Sequence, residues 1–444
     1  MSKIGYMSEV VRKLVRVVLP FYLFTFLPLA ASAQINEDDD EEEVVATSDD
    51  EIIVMDQEGN EEVIEFPEAM TYDLDSLLNL YTSKTYLDEE DCNMRDINPV
   101  FSKEEYIDRL SRIPTVMEMA YNDVVQKFID RYSGRLRHSI SYMLGASNFY
   151  IPIFEEALEA YQLPLELKYL PIIESALNPK AVSRVGATGL WQFMITTGKQ
   201  YGLQVNSLLD ERRDPVKASY AAARYLRDLY RVFGDWNLVI AAYNCGPENI
   251  NKAIHRSNGE KDYWQIYPYL PKETRGYVPA FIAANYMMTY YSQHNICPMS
   301  TRLPAKTDTV MVNRNLHLEQ VAEVIGINID LLRSLNPMYR RDIVPGLTQP
   351  CPLRLPQTEV GKFIDMEDSV YTYKVDELLN KRTEVEVKDD VPTYYHKSKR
   401  YARGKKGRYS KRHAVHKGKK SKASRRKATT PKKRKSTTRK RRRR

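Results

Sequence analysis

The chain has 444 residues and a net charge of +7, from 66 Lys plus Arg against 59 Asp plus Glu. That small figure conceals two opposed regions. Lys397 to Arg444 holds 26 bases and no acid, which leaves 40 bases against 59 acids, a net of −19, on the rest of the chain. Four cysteines, Cys92, Cys245, Cys297 and Cys351, stand far apart with no CxxC pair and no phosphate loop or metal motif is present, so no cofactor and no metal is expected.

In chain order, residues 1–33 read as a secretory signal. Lys3, Arg12, Lys13 and Arg16 form a positive start, Val17 to Ala30 an apolar core, and Ala31-Ser32-Ala33 a small-residue cleavage site, with Met7 as an alternative start. The apolar run falls short of the roughly 20 residues that a membrane span requires. The first cysteine is Cys92, so no lipid-acceptor cysteine follows the signal. Residues 34–97 read as an acidic, disordered linker: Gln34 to Ser83 has no Lys or Arg, and Glu37 to Glu43 is seven acids in a row. Short apolar patches such as Ile52 to Met55 could pair transiently with another segment.

Helical periodicity takes over from about Asn98. The spacing predicts helices over Val116 to Tyr132, Pro152 to Tyr161, Leu165 to Leu177, Asp214 to Phe233, Trp236 to Tyr243 and Thr274 to Tyr291. Asp214-Pro215 is a strong start signal, an N-cap aspartate before a first-turn proline. Residues 98–303 thus describe a compact α domain of single-domain size. At its centre lies Leu170 to Met194, LPIIESALNPKAVSRVGATGLWQFM. On a helix, Leu167, Leu170, Glu174 and Leu177 share one stripe, and a carboxylate on such a stripe is desolvated toward its protonated form. A carboxylic acid still protonated near neutral pH is what glycosidic cleavage needs as a proton donor. By periodicity alone, Glu174 also fits a plain helix end, between Pro171 and Asn178-Pro179.

Glu174-Ser175, Gly189-Leu190-Trp191-Gln192-Phe193-Met194, Ala242-Tyr243-Asn244-Cys245-Gly246-Pro247 and Tyr277-Val278-Pro279 occur in this order. The set resembles family 1 lytic transglycosylases, the SLT-domain enzymes, most closely of the membrane-bound lytic murein transglycosylase D type, over residues 100–357. Residues 306–357 resemble a degenerate LysM module: strands at Val310-Met311-Val312 and Leu353-Arg354-Leu355 flank helical patterns Leu318 to Ile325 and Asp330 to Leu335. The usual Gly-Asp-Thr-Leu opening is replaced by Asn313-Arg314-Asn315-Leu316. The resemblance implies a mainly α fold: a goose-lysozyme-like catalytic domain, a small βααβ LysM-like module, a linker at 358–396, and a basic disordered tail at 397–444.

It also implies the chemistry. Glu174 is the catalytic acid/base, and Ser175, Ser183, Gln192, Met194, Tyr243, Asn244 and Tyr277 line the substrate site. Peptidoglycan is the substrate, cut between MurNAc and GlcNAc with 1,6-anhydro-MurNAc formed. No Asp or Glu lies between Ser175 and Leu209, so the loop after Glu174 offers no second carboxylate. Most glycosidases require two. The alternatives are a hydrolytic muramidase recruiting Asp235 or Glu248, and a catalytically idle wall-binding protein. Cys245 reads as a small buried residue, because no histidine lies near to activate it. The tail would suggest nucleic-acid binding inside a cell. On a secreted chain, in the periplasm or cell envelope, its expected partner is an anionic surface, and no nucleic acid is expected.

Overall fold

The computed structural model describes residues 51–55, 61–70 and 97–379. The leader and the basic tail lie outside the described residues. The first element is a hairpin, β1 (Glu51–Met55) paired antiparallel with β2 (Glu61–Glu65), Ile52 opposite Ile64. Ile52, Val54 and Ile64 are buried while Ile53 is exposed, the alternation of a strand with one face on a core. Phe66 follows, stacked on Phe128 with centroids 5.0 Å apart and edge-on to Tyr132. This part of the acidic segment is therefore an ordered strap and no linker. Alternating apolar residues give it a face to bury, and its acids find cations: Glu62 pairs with Arg275, and Glu68 accepts a hydrogen bond from the Arg184 backbone N–H at 2.9 Å.

Residues 103–290 are mainly helical: α1 (Lys103–Ser111), α2 (Asp123–Ser133), α3 (Arg137–Glu159), α4 (Leu170–Ser175), α5 (Ile195–Gln200), α6 (Pro215–Phe233), α7 (Trp236–Cys245), α8 (Pro247–Arg256), α9 (Tyr263–Ile266), α10 (Lys272–Arg275) and α11 (Tyr277–Tyr290). Every residue of α11 from Tyr277 to Met288 is buried. A helix apolar all round belongs in the middle of a core, and α2, α4 and α7 pack against it. Asp214 caps α6 as expected, accepting from the N–H groups of Val216 and Lys217 at 2.9 and 3.1 Å. Several expected helices differ, two of them ahead of the central stretch. Val116 to Asn122 is irregular, because Asn122 is itself an N-cap, accepting from Val125 N at 2.9 Å. Pro152 lies inside α3 instead of starting a helix, in a run whose Tyr150, Phe154 and Leu158 are fully buried.

The second module contains β3 (Thr307–Val312), β4 (Asn315–His317), α12 (Leu318–Ile325), α13 (Ile329–Leu335), β5 (Ile343–Pro345) and β6 (Cys351–Pro356). β3 pairs antiparallel with β6 and β4 with β5, so the expected βααβ order gains a small inner strand pair. Residues 360–378, assigned above to a linker, instead form α14 (Val360–Asp365), α15 (Glu367–Thr372) and α16 (Val375–Leu378). Phe363, Val370 and Tyr371 complete the module's core, and Gln320 Nε2 donates to Tyr373 O at 2.8 Å. Apolar burial, invisible in a charged and short-period stretch, decides this.

The module is docked, not tethered. Asp210 N–H donates to Met338 O at 2.9 Å and Arg340 N–H to Leu208 O at 2.7 Å, around a bridge between Leu209 and Tyr339. Leu209 joins the module's apolar core. Behind it the buried Asp210 carboxylate is gripped by Arg212 through two 2.9 Å bonds and by Arg340 at 2.7 Å. Burial alone would raise the Asp210 pKa, but those hydrogen bonds outweigh it and hold the carboxyl below its ordinary range.

Candidate active site

The site begins where α4 stops. Ala176 and Leu177 both take left-handed backbone conformations, φ 48° and 58°, so the helix ends at Ser175 and the four-residue stripe does not continue to Leu177. Glu174 therefore sits in the last turn of a short helix whose Ile172 and Ile173 are buried, with its carboxyl at the floor of a cleft of about 460 Å³. The loop from Asn178 to Met194 folds back over it by short bridges, Val182 to Thr188 and Thr188 to Phe193. Gly189 makes this possible: its φ is +88°, and a Cβ there would lie 1.9 Å from Arg212 O. Trp191, wholly buried, donates its indole N–H to Ser219 Oγ at 2.9 Å and anchors the loop to α6.

Six of the seven expected binding residues line this cleft with Glu174: Ser183, Gln192, Met194, Tyr243, Asn244 and Tyr277. Ser175 does not. It is fully buried, its hydroxyl held by the carbonyls of Pro171 (3.0 Å) and Leu190 (2.9 Å), so it fastens the glutamate helix to the following loop and cannot meet a ligand. Tyr277, at the start of α11, donates its hydroxyl hydrogen bond to Glu174 Oε1. Tyr243 donates to Trp191 O at 2.7 Å, and Gln192, at φ 47°, donates to Gly189 O at 2.8 Å. Both act first as braces of the cleft wall. Ser183 Oγ accepts from Ala187 N–H at 3.0 Å, which leaves its own proton to donate into the cleft. Asn244 Oδ1 accepts from Thr274 Oγ at 2.9 Å.

Sequence reasoning missed several lining residues. Tyr225 reaches in from α6, its phenol pushed up to about 12 by burial, and Glu273 from α10. The strap supplies Glu65 through Ala69 as a wall. Its packing is close: a Cβ on Gly276 would meet Glu65 O at 2.6 Å. The signal for the strap was present in the alternation at Ile52, Val54 and Ile64, obscured by the surrounding acids. Asp235 and Glu248 are not at the site: Asp235 caps α7, accepting from Leu238 N–H at 2.8 Å, and Glu248 projects into solvent. Cys245 is a free thiol outside the lining, and burial pushes its pKa up, so it has no nucleophile's setting. His294, buried against Tyr286 and lowered to about 4 by burial, belongs to the core.

Electrostatically the site turns on Glu174. Burial pushes its carboxyl up to about 7, against the opposing pull of the Tyr277 hydrogen bond, which favours the carboxylate. Tyr277 itself, held well above its usual range by burial and by Glu174, stays a hydroxyl donor. Glu273, Glu65 and Glu68 also line the cleft. Among the described residues no group of His, Cys, Asp and Glu could hold a metal ion. Replacing Tyr277 by Phe removes the bond that favours the ionised form, so the Glu174 pKa rises further. The alkaline limb of the pH–activity profile is expected to move to higher pH; a limb unmoved would reduce Tyr277 to packing.

Fold and site together define a mainly helical domain with a half-buried acid, Glu174, in its cleft, and a small α+β module fixed to its side. Residues 152–266 match the family model of the transglycosylase SLT domain, and residues 306–372 that of the LysM-like domain of the lytic transglycosylase MltD. The chain is 34% identical over 178 residues to the membrane-bound lytic murein transglycosylase D of Escherichia coli (strain K12), covering 39% of this chain and 39% of that protein. It is also 34% identical over 124 residues to the soluble lytic murein transglycosylase of the same strain, covering 27% and 19%. Among solved structures, the 70 kDa soluble lytic transglycosylase of Escherichia coli shares 30% identity, covering 32% of this chain and 24% of that one at a TM-score of 0.29. The chain spans about two fifths of the length of the curated transglycosylase D that it matches.

Proposed function

We propose that the protein is a lytic transglycosylase of peptidoglycan, with Glu174 as its sole acid/base. The observation that carries this is the Glu174 carboxyl in the cleft, hydrogen-bonded by the Tyr277 hydroxyl and raised to about 7 by burial. Glu174 first gives its proton to the glycosidic oxygen between MurNAc and GlcNAc as the C1–O4 bond breaks. The resulting carboxylate, steadied by the Tyr277 hydroxyl, then takes the proton of the muramic acid C6 hydroxyl as the C1–O6 bond forms. The proton count closes on Glu174, and no water is consumed. A tethered hydroxyl also has the advantage of proximity over a free water. Ser183, Gln192, Asn244 and Met194 would hold the glycan along the cleft, and Tyr243 would brace it. Released muropeptides are expected to end in 1,6-anhydro-MurNAc, lighter by one water than hydrolysis products and resistant to borohydride. Mass spectrometry before and after reduction reads this directly. Mainly reducible ends would favour a hydrolytic muramidase, for which Glu273, Glu65 and Glu68 in the cleft wall are the carboxylates at hand. No clearing on a peptidoglycan zymogram would leave only a wall-binding role.

Peptidoglycan as substrate places the protein in the cell envelope or periplasm. On this reading residues 1–33 are removed during export, and the 26 bases after Lys397 hold the mature chain to an anionic surface. N-terminal sequencing of envelope material is expected to begin at Gln34. Deleting residues 397–444 is expected to lower envelope retention at low salt, where screening is weak. A mature chain beginning at Met1, or equal retention without the tail, refutes the corresponding half. Among the described residues no helix is long and apolar enough to cross a membrane.

A further inference from the structure

A cavity of about 590 Å³ lies outside the catalytic cleft, where the LysM-like module meets the catalytic domain. The catalytic domain contributes Lys180 and Arg213 to its wall, and the module contributes Arg333, Arg340, Arg341 and Asp342. Five cations thus line the cavity with one carboxylate, which Arg333 engages at 2.7 Å while its other arm pairs with Asp330 at 3.1 Å. Arg340 spends one arm on Asp210. Among the described residues, Lys180 and Arg341 have no ion pair. The Nε atoms of Arg213 and Arg340 are buried without a hydrogen-bond partner, that of Arg213 lying 3.9 Å from the Asp210 carboxylate. Burial, then the neighbouring Arg333, lowers the Lys180 ammonium below its ordinary range, against the opposing pull of Asp342 and Asp330. The turn that presents Arg341 is itself costly: Arg341 and Asp342 both take left-handed conformations, φ 59° and 58°, which side-chain-bearing residues seldom adopt in succession.

We propose that this cavity is an oxyanion site, and that its ligand is the carboxylates of the stem peptide attached to the glycan being cleaved. The ligand's identity rests on the function proposed above; the anion site does not. Guanidinium groups match a carboxylate's two oxygens in a fork that a lysine cannot reproduce, and the cavity gathers four of them. Its volume falls in the range of small-molecule pockets. Its position fits the substrate. Lys180 is three residues from Ser183 on the loop that lines the cleft, so their Cα atoms lie within about 11 Å. A peptide hung from a muramic acid in the cleft leaves the glycan sideways and bears free carboxylates. The same loop is tied to the cavity wall, since Arg212 donates to Gly186 O and Phe193 O at 3.1 Å while binding the Asp210 that holds Arg340.

The test uses the full mature chain, a soluble stem tetrapeptide and inorganic phosphate, with calorimetry as the binding readout. The variants are Arg341→Gln alone, at an exposed position where folding is not at stake, and Lys180→Gln with Arg341→Gln. The double variant is expected to weaken tetrapeptide binding at least about tenfold, and phosphate to compete only at much higher concentration than the peptide. On peptide-bearing glycan its KM is expected to rise by a similar factor, with turnover of peptide-free glycan unchanged. Unaltered peptide affinity in both variants overturns the site. Phosphate binding as tightly as the peptide overturns the stem-peptide assignment in favour of a phosphate-bearing wall polymer or lipid. Because binding is read without turnover, a wild type that holds the peptide yet cleaves neither glycan would refute the proposed activity and support the site.

Discussion

Replacing Glu174 by Gln is expected to lower turnover of peptidoglycan by at least the roughly 100-fold attributed to general acid–base catalysis, and to stabilise the fold at the same time. The side-chain amide keeps the shape and can still accept from Tyr277, but it has no proton to transfer. The stability gain follows from linkage. In the unfolded chain the carboxyl titrates near its ordinary value of 4.5, in the fold at about 7. Between those values the folded state binds more protons than the unfolded one, so wild-type stability falls as pH rises through the window. Above pH 7 the accumulated cost is about 3 kcal/mol, at 1.36 kcal/mol per pKa unit. The variant, which does not titrate, is expected to melt later than wild type at pH 8 and together with it at pH 4. In the wild type, activity as a general acid is expected to decline above pH 7 as the proton is lost. Retained activity in the variant would remove Glu174 from the chemistry; a pH-independent difference in melting would show that its carboxyl is not perturbed by the fold.

Replacing Arg212 by Met is expected to cost about 3–5 kcal/mol, the range for breaking a buried, hydrogen-bonded ion pair from one side. Arg212 and Asp210 are both nearly inaccessible, and the guanidinium makes two 2.9 Å bonds to the carboxylate and two 3.1 Å bonds to loop carbonyls. Methionine fills much of the volume but leaves Asp210 with Arg340 and a distant Arg213. A melting temperature lower by roughly 10 °C is expected at neutral pH, at the 2–4 °C per kcal/mol usual for a domain of this size. Asp210 has a depressed pKa, so the stability it confers is present above the ordinary carboxylate pKa and lost as pH falls through its folded value. The gap between variant and wild type is therefore expected to narrow in acid. Turnover is expected to drop as well, since Arg212 pins the Gly186 and Phe193 ends of the cleft loop. A melting point within about 2 °C of wild type would show that Arg340 and solvent replace the lost partner.

Local features of the chain determined the helical character of residues 98–303, the start of α6 at its Asp-Pro signal, the strand pair enclosing two helices in the second module, and Glu174 as the candidate acid. Those features are short in range: apolar spacing, caps, helix stops and motifs whose chemistry is carried by one or two side chains. Contacts distant in sequence decided the rest. Whether an acidic stretch stays solvated or folds as a strap depends on Phe128, Tyr132 and Arg275 waiting elsewhere to receive Phe66 and Glu62. Whether Ser175 meets substrate or a backbone carbonyl depends on where Leu190 returns, fifteen residues later. The Glu174 pKa is the plainest case. The stripe predicted a desolvated carboxyl from a helix that in fact stops at Ser175, and the carboxyl is nonetheless raised, because the burial comes from the loop, α7 and α11 closing over it. Periodicity states which side of an element turns inward; what it meets there, and at what dielectric, is fixed only when the other elements arrive.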